Sequence, residues 1–129
     1  DRNKLFSQRK ASGQAAIADP LQVIHEAVRP IDGEVVVSKH RVNALFGTDL
    51  DMILRANKVE TIIMLGYATS GVVLSTTRYA ADSDYRIMIA EDCCVDSDIG
   101  VHDFLMQKIF PRQADVVQSE DVIAALRRG

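Results

Sequence analysis

Several marks of specialised protein classes are scarce in this sequence of 129 residues. There are two cysteines, Cys93 and Cys94, and they are neighbours. Adjacent cysteines make a poor staple, so they read as two thiols in a reducing compartment, and a cytoplasmic location is expected. No apolar run approaches the ~20 residues that a membrane-spanning helix needs, and no signal peptide opens the chain. No membrane partner is therefore expected. Basic runs are missing too, and the formal net charge is −3, which argues against nucleic acid as a partner. What is present is ordinary: 47% apolar and 26% charged residues. That composition and length suit a single domain over residues 1–129 with a real hydrophobic core.

Residues 1–33 read as an irregular lead-in. The start is polar and basic, Ser12-Gly13 invites a turn, and Pro20, Pro30 and Gly33 punctuate the remainder. Leu21, Ile24 and Val28 have helical spacing, but Pro30 limits that helix to about two turns. Residues 34–129 read as repeating strand–helix units. Val35-Val36-Val37 is a β-branched run suited to a strand covered on both faces. Thr48 is placed to cap a helix carrying Leu50, Ile53 and Leu54 on its apolar stripe, with Asn57 and Lys58 at its end. Thr61 to Leu65 is the next strand, and Ser70 opens a helix with Val73, Thr77 and Ala80 inward. Tyr85 to Ala90 is a third strand, followed by a loop from Glu91 to Asp96. Ser97 or Asp98 caps a helix with Val101, Phe104, Leu105 and Ile109 inward, which Pro111 stops. Val116-Val117 is a short strand, and Ser119 caps the final helix. Alternation of this kind predicts an α/β fold with a Rossmann-like parallel sheet between flanking helices, a three-layer α/β/α arrangement. Ligands of such sheets bind beyond the carboxyl ends of the strands, where Lys39, Tyr67 to Val72 and Asp92 to Asp96 fall.

One stretch organises the rest. An apolar strand runs into Gly66-Tyr67-Ala68-Thr69-Ser70-Gly71-x-Val73-x-x-Thr76, a tight turn leading into a helix. Together with Lys39, Phe46-Gly47-Thr48-x-Leu50, Ala80-Ala81 and Asp92, it resembles the isochorismatase-like (cysteine hydrolase) superfamily. The match runs from about Glu34 to the C-terminus, and residues 1–33 look like that family's variable insertion. The resemblance implies a hydrolase acting on a small-molecule substrate, with an Asp–Lys–Cys triad whose lysine falls on Lys39. It places a non-proline cis peptide at Tyr67–Ala68 and an oxyanion hole at the N–H groups of Ala68 and Val72. Phe46, Thr69 and Ser70 would line the substrate pocket. The aspartate and histidines of the family's metal-binding branch have no counterpart, so no metal and no cofactor are expected.

Two departures from the family pattern stand out. The cysteine nucleophile falls on Val72, which has nothing to attack with. The catalytic aspartate belongs to a first strand that has no match here, so the sheet is expected to lack its first strands. The Val35–Val37 strand would then need neighbours from upstream residues, from another copy in a homo-oligomer, or from a move beside Thr61–Leu65. Two functions are compatible with these residues: a hydrolase of unknown substrate, or an inactive family member kept as a binding or oligomeric scaffold. Cys93 and Cys94 read as inert thiols, Asp92, Asp96 and Asp98 as turn and cap residues. His25 and His40 fall on the surface, and His102 on the outer side of its helix.

Overall fold

The computed structural model describes residues 2–13 and 24–128. The chain divides into two units, Asp1–Val36 and Val37–Gly129. Within the first, Lys4–Ala11 is a helix, α1, where an irregular segment was expected. The Asn3 side-chain oxygen accepts the Phe6 N–H at 3.1 Å, and Gly13 lies just past the helix end at φ +74. Such caps satisfy the helix termini, and the glycine takes the left-handed position with no side-chain penalty. None of α1's residues is buried, so it lacks the apolar stripe by which a helix is read from sequence. Leu21 lies outside the described residues. Glu26–Val28 forms one 3-10 turn, with the His25 ring nitrogen Nδ1 accepting the Ala27 N–H.

The second unit is built on a parallel three-stranded sheet flanked by helices. Its elements are α2 (Leu50–Ala56), β1 (Thr61–Tyr67), α3 (Leu74–Asp82), β2 (Arg86–Val95), α4 (Ile99–Phe104), β3 (Asp115–Val117) and α5 (Ser119–Leu126). The strands lie in the order β1-β2-β3, so among the described residues β1 is an edge strand. Ile62 pairs with Ile87 and Met64 with Ile89, and β3 pairs Val116 with Ile89. Ile87, Ile89, Ala80, Leu105, Met106 and Phe110 are buried in one cluster, with Val72 and Leu74 packed against it. Burial of such side chains contributes about 1.5–3 kcal/mol each relative to exposure.

Three expectations need correction. Val35–Val37 forms no strand, and Val35 and Val36 are 62% and 59% exposed. A β-branched run becomes a strand only when a neighbouring strand takes its N–H and C=O groups, and among the described residues no strand pairs with it. The strand expected to end at Ala90 continues to Val95 through Glu91 and Asp92, because Gly66 pairs with Cys94 and Tyr67 with Val95. Between Met64 and Gly66 the register slips, and the extra residues of β2 bulge out. The stripe of α4 is also rotated. Val101 and Phe104 are exposed, whereas His102, Leu105 and Met106 are buried.

Candidate active site at the carboxyl ends of the strands

β1 ends in the turn that the sequence singles out. Gly66 sits at φ +127, where a side chain is disfavoured, and the Tyr67–Ala68 peptide is cis. Ala68 is extended, and the chain then enters a π-helical turn over Thr69–Val73 that runs straight into α3. The Ala68 carbonyl accepts from the N–H groups of Gly71 and Val73 at 3.1 and 3.3 Å. Among the described residues the Ala68 N–H itself donates to no acceptor. The turn therefore exposes backbone donors at the start of a helix, where the dipole favours negative charge.

Two side chains hold this turn, Asp96 from the β2–α4 connection and His102 from α4. On its outer side the Asp96 carboxylate accepts the Ser70 N–H at 2.7 Å and the Asp98 N–H at 3.3 Å. These bonds stabilise the charged form and hold the Asp96 carboxyl at about 2. On its inner side the Thr69 hydroxyl, fully buried, lies 2.9 Å from His102 Nδ1. His102 is itself 7% exposed, not on the outer side of α4 as its sequence position suggests. Asp98 explains the phase. Its carboxylate caps α4 by accepting the Gly100 and Val101 N–H groups, which turns His102 inward on one stripe with Leu105 and Met106. Spacing carried that signal, since Leu105, Met106 and Ile109 stand at helical intervals from His102, but an apolar stripe through Val101 and Phe104 competed with it.

The segment before α2 passes over the same turn. Asn43 Nδ2 donates to the Ser75 carbonyl, and the Ala44 N–H donates to the Thr76 hydroxyl at 3.0 Å. Val42 reaches Gly71, where a Cβ would lie 3.9 Å from its side chain. Thr48 does serve the start of α2, accepting the Leu50 N–H while donating to the Ala44 carbonyl. Lys39 lies at the head of this segment, exposed, with Nζ donating to the Arg41 carbonyl at 3.1 Å. Phe46 and Tyr67 are exposed.

Val72 is partly buried and lines a groove of about 250 Å³ along the open edge of β1, among Leu50, Leu54, Ile62, Leu65 and Thr76. The lining is apolar apart from Thr76, whose hydroxyl is engaged by Ala44. The structure thus brings Tyr67, Ala68, Ser70 and Val72 together on one turn and turns Thr69 away into the core.

The neighbouring thiols differ. Cys93 is exposed and Cys94 is buried opposite Gly66. Burial pushes the Cys94 thiol up, against a smaller opposing pull from its hydrogen bond to the Gly66 backbone. A thiol held protonated in this way is a poor nucleophile. Asp92 acts at the other flank of β2, accepting the Ser119 N–H at 2.8 Å and its hydroxyl at 2.5 Å. Those bonds lower its carboxyl pKa and cap α5. Among the described residues no three His, Cys, Asp or Glu side chains converge to hold a metal ion. No helix among them is long and apolar enough to cross a membrane.

Comparison with known proteins agrees with this architecture. The isochorismatase domain family model matches residues 1–121. A maleamate amidohydrolase of Pseudomonas putida is 33% identical over 109 residues, covering 84% of this chain and 51% of that protein. An N-carbamoylsarcosine amidase of an Arthrobacter species is 31% identical, over 80% of this chain and 39% of that protein. The chain thus spans about half the length or less of these curated relatives. Among solved structures, an isochorismatase family protein of Burkholderia thailandensis superposes with a TM-score of 0.80 at 34% identity, covering 84% of this chain and 58% of that one. A cysteine hydrolase of Pseudomonas syringae gives 0.83 at 25% identity, over 95% and 64%. With the parallel sheet and the Gly66–Val73 turn in place, these matches establish that the chain belongs to the isochorismatase-like hydrolase superfamily.

Proposed function

We propose that this chain carries part of a small-molecule hydrolase site at the carboxyl ends of β1 and β2, and that the site works without a thioester intermediate. The observation that carries the reading is Val72. It occupies the position that the family resemblance gives to the cysteine nucleophile, and its side chain lines an apolar groove. A saturated side chain can neither attack a carbonyl nor move a proton. Lys39 is then the catalytic residue of this chain, its ammonium stabilising negative charge that develops on the substrate. The Ala68 and Val72 N–H groups serve as the oxyanion hole beyond Tyr67, and Phe46 and Ser70 line the pocket. Thr69, being buried, supports the turn rather than touching substrate. Small amides of the kind named in the relatives, maleamate and N-carbamoylsarcosine, are the substrates to test first. A homo-oligomer and a cytoplasmic location belong to the same proposal, the first supported by the exposed Leu65 and Tyr67 on β1's open edge, the second by the two free thiols.

The second reading is a non-catalytic scaffold. It is favoured by the engagement of Thr69, Ser70 and Asp96 in hydrogen bonds with the protein itself. The deciding assay follows ammonia release from both amides, and pyruvate release from isochorismate, with the full-length protein and its Lys39→Met variant. Turnover that falls in the variant supports the hydrolase reading. Turnover equal in both removes Lys39 from catalysis. No turnover of any of the three by a cooperatively folded protein favours the scaffold.

A further inference from the structure

His102 is a titratable side chain buried at the back of the turn, and the proposed chemistry does not use it. We infer that His102 is a positioning residue: through Thr69 it fixes the turn that presents the Ala68 and Val72 N–H groups. Its functional consequence rests on the oxyanion-hole reading, though its structural part does not.

A hydroxyl and an imidazole removed from water both need partners. Thr69 Oγ1 and His102 Nδ1 are 2.9 Å apart and serve each other. The hydroxyl belongs to the first residue of the π-helical turn and the imidazole to the first turns of α4, so the bond ties two elements 33 residues apart in sequence. Asp96 grips the next residue, Ser70, from the solvent side. The turn is therefore held on opposite sides by one short stretch of chain, the β2–α4 connection with Asp96 and the start of α4 with His102. Removing the outer grip leaves the inner one. Removing the inner one leaves a hydroxyl in the core that must find a new acceptor, and a backbone shift of Thr69 toward one would carry the adjoining residues of the turn, Ala68 and Ser70 to Val72, with it. Shape complementarity alone does not ask for histidine here, since Leu105 and Met106 beside it are apolar.

A positioning role makes a distinct kinetic pattern. Donors displaced from a developing oxyanion weaken the transition state more than the ground state, so kcat falls while KM holds. Misplacement by a fraction of an ångström to one ångström corresponds to a loss of about 10–100-fold. The test uses the protein with His102→Leu, Thr69→Val and His102→Asn. Leucine removes the bond, valine removes it from the other partner while keeping the shape, and the asparagine amide nitrogen or oxygen can stand near the place of Nδ1. Amide NMR shifts and hydrogen exchange of Ala68, Ser70, Gly71 and Val72 are read together with kcat and KM on maleamate or N-carbamoylsarcosine. The expected result is displaced and faster-exchanging amides in the leucine and valine variants, kcat reduced about 10–100-fold at unchanged KM, and recovery of both in the asparagine variant. Should leucine prevent folding, the valine and asparagine variants carry the test. Folded variants whose turn amides stay at wild-type positions overturn the inference, as does wild-type kcat in the valine variant. Amides that move in a protein whose wild type turns over none of the substrates support the positioning and count against the hydrolase reading instead.

Discussion

Replacing Asp96 by asparagine should destabilise the protein in a way that depends on pH. Asp96 accepts the Ser70 N–H at 2.7 Å and the Asp98 N–H at 3.3 Å, and these bonds hold its carboxyl at about 2 rather than 3.8. A carboxyl whose pKa is lower in the folded than in the unfolded chain binds protons less readily when folded. Its contribution is thus fully present above about pH 4 and is lost as pH falls through about 2. At face value the difference corresponds to about 2.4 kcal/mol, at 1.36 kcal/mol per pH unit. The group is largely open to solvent, and screening reduces this to about 1 kcal/mol. Asparagine keeps an acceptor oxygen but loses the charge. In a domain of this size about 1 kcal/mol lowers Tm by about 3–5 °C. Thermal melts of wild type and Asp96→Asn at pH 7, 4 and 2.5 would show the gap at pH 7 narrowing toward the acid end. A gap of the same size at all three values would refute the charge-based explanation, and no gap at pH 7 would show that the clamp on Ser70 contributes nothing.

Three further outcomes are expected. Native protein treated with iodoacetamide should be modified once, at the exposed Cys93, and at both cysteines only after unfolding, because Cys94 is buried and its thiol stays protonated; peptide mapping reads this directly. Ile89→Ala should cost about 2–5 kcal/mol in urea unfolding, since Ile89 is fully buried between β1 and β3 and nothing around it can collapse without breaking the ladder. Val72→Cys should give no acyl adduct by intact mass on incubation with maleamate, because the groove that Val72 lines holds, among the described residues, no acid or base side chain to deprotonate a thiol there.

Much of the fold was legible because its core strands obey simple patterns. Thr61 to Leu65 and Val116-Val117 read as apolar strands and are strands, and Thr77 and Ala80 line the buried face of α3 as their spacing requires. The failures have separate causes. α1 is a helix with no buried face, held by its Asn3 cap and not by a stripe. Glu91 and Asp92 disguise the continuation of β2, since charged residues end an apolar pattern even where backbone pairing goes on. Val35–Val37 has strand chemistry and, among the described residues, no strand partner. At the site, the Gly66–Val73 turn could be singled out from its residues. The burial of His102 was harder to read, because an apolar stripe through Val101 and Phe104 competes with the one that His102 shares with Leu105, Met106 and Ile109.

On the proposed reading of Val72, hydrolysis at this site should proceed without a covalent enzyme intermediate. Rapid-quench intact-mass spectrometry of the full-length protein during turnover of maleamate or N-carbamoylsarcosine tests this most directly. The expected result is substrate consumption with the protein mass unchanged at every time point. An acylated species that forms and decays at the rate of turnover would contradict it.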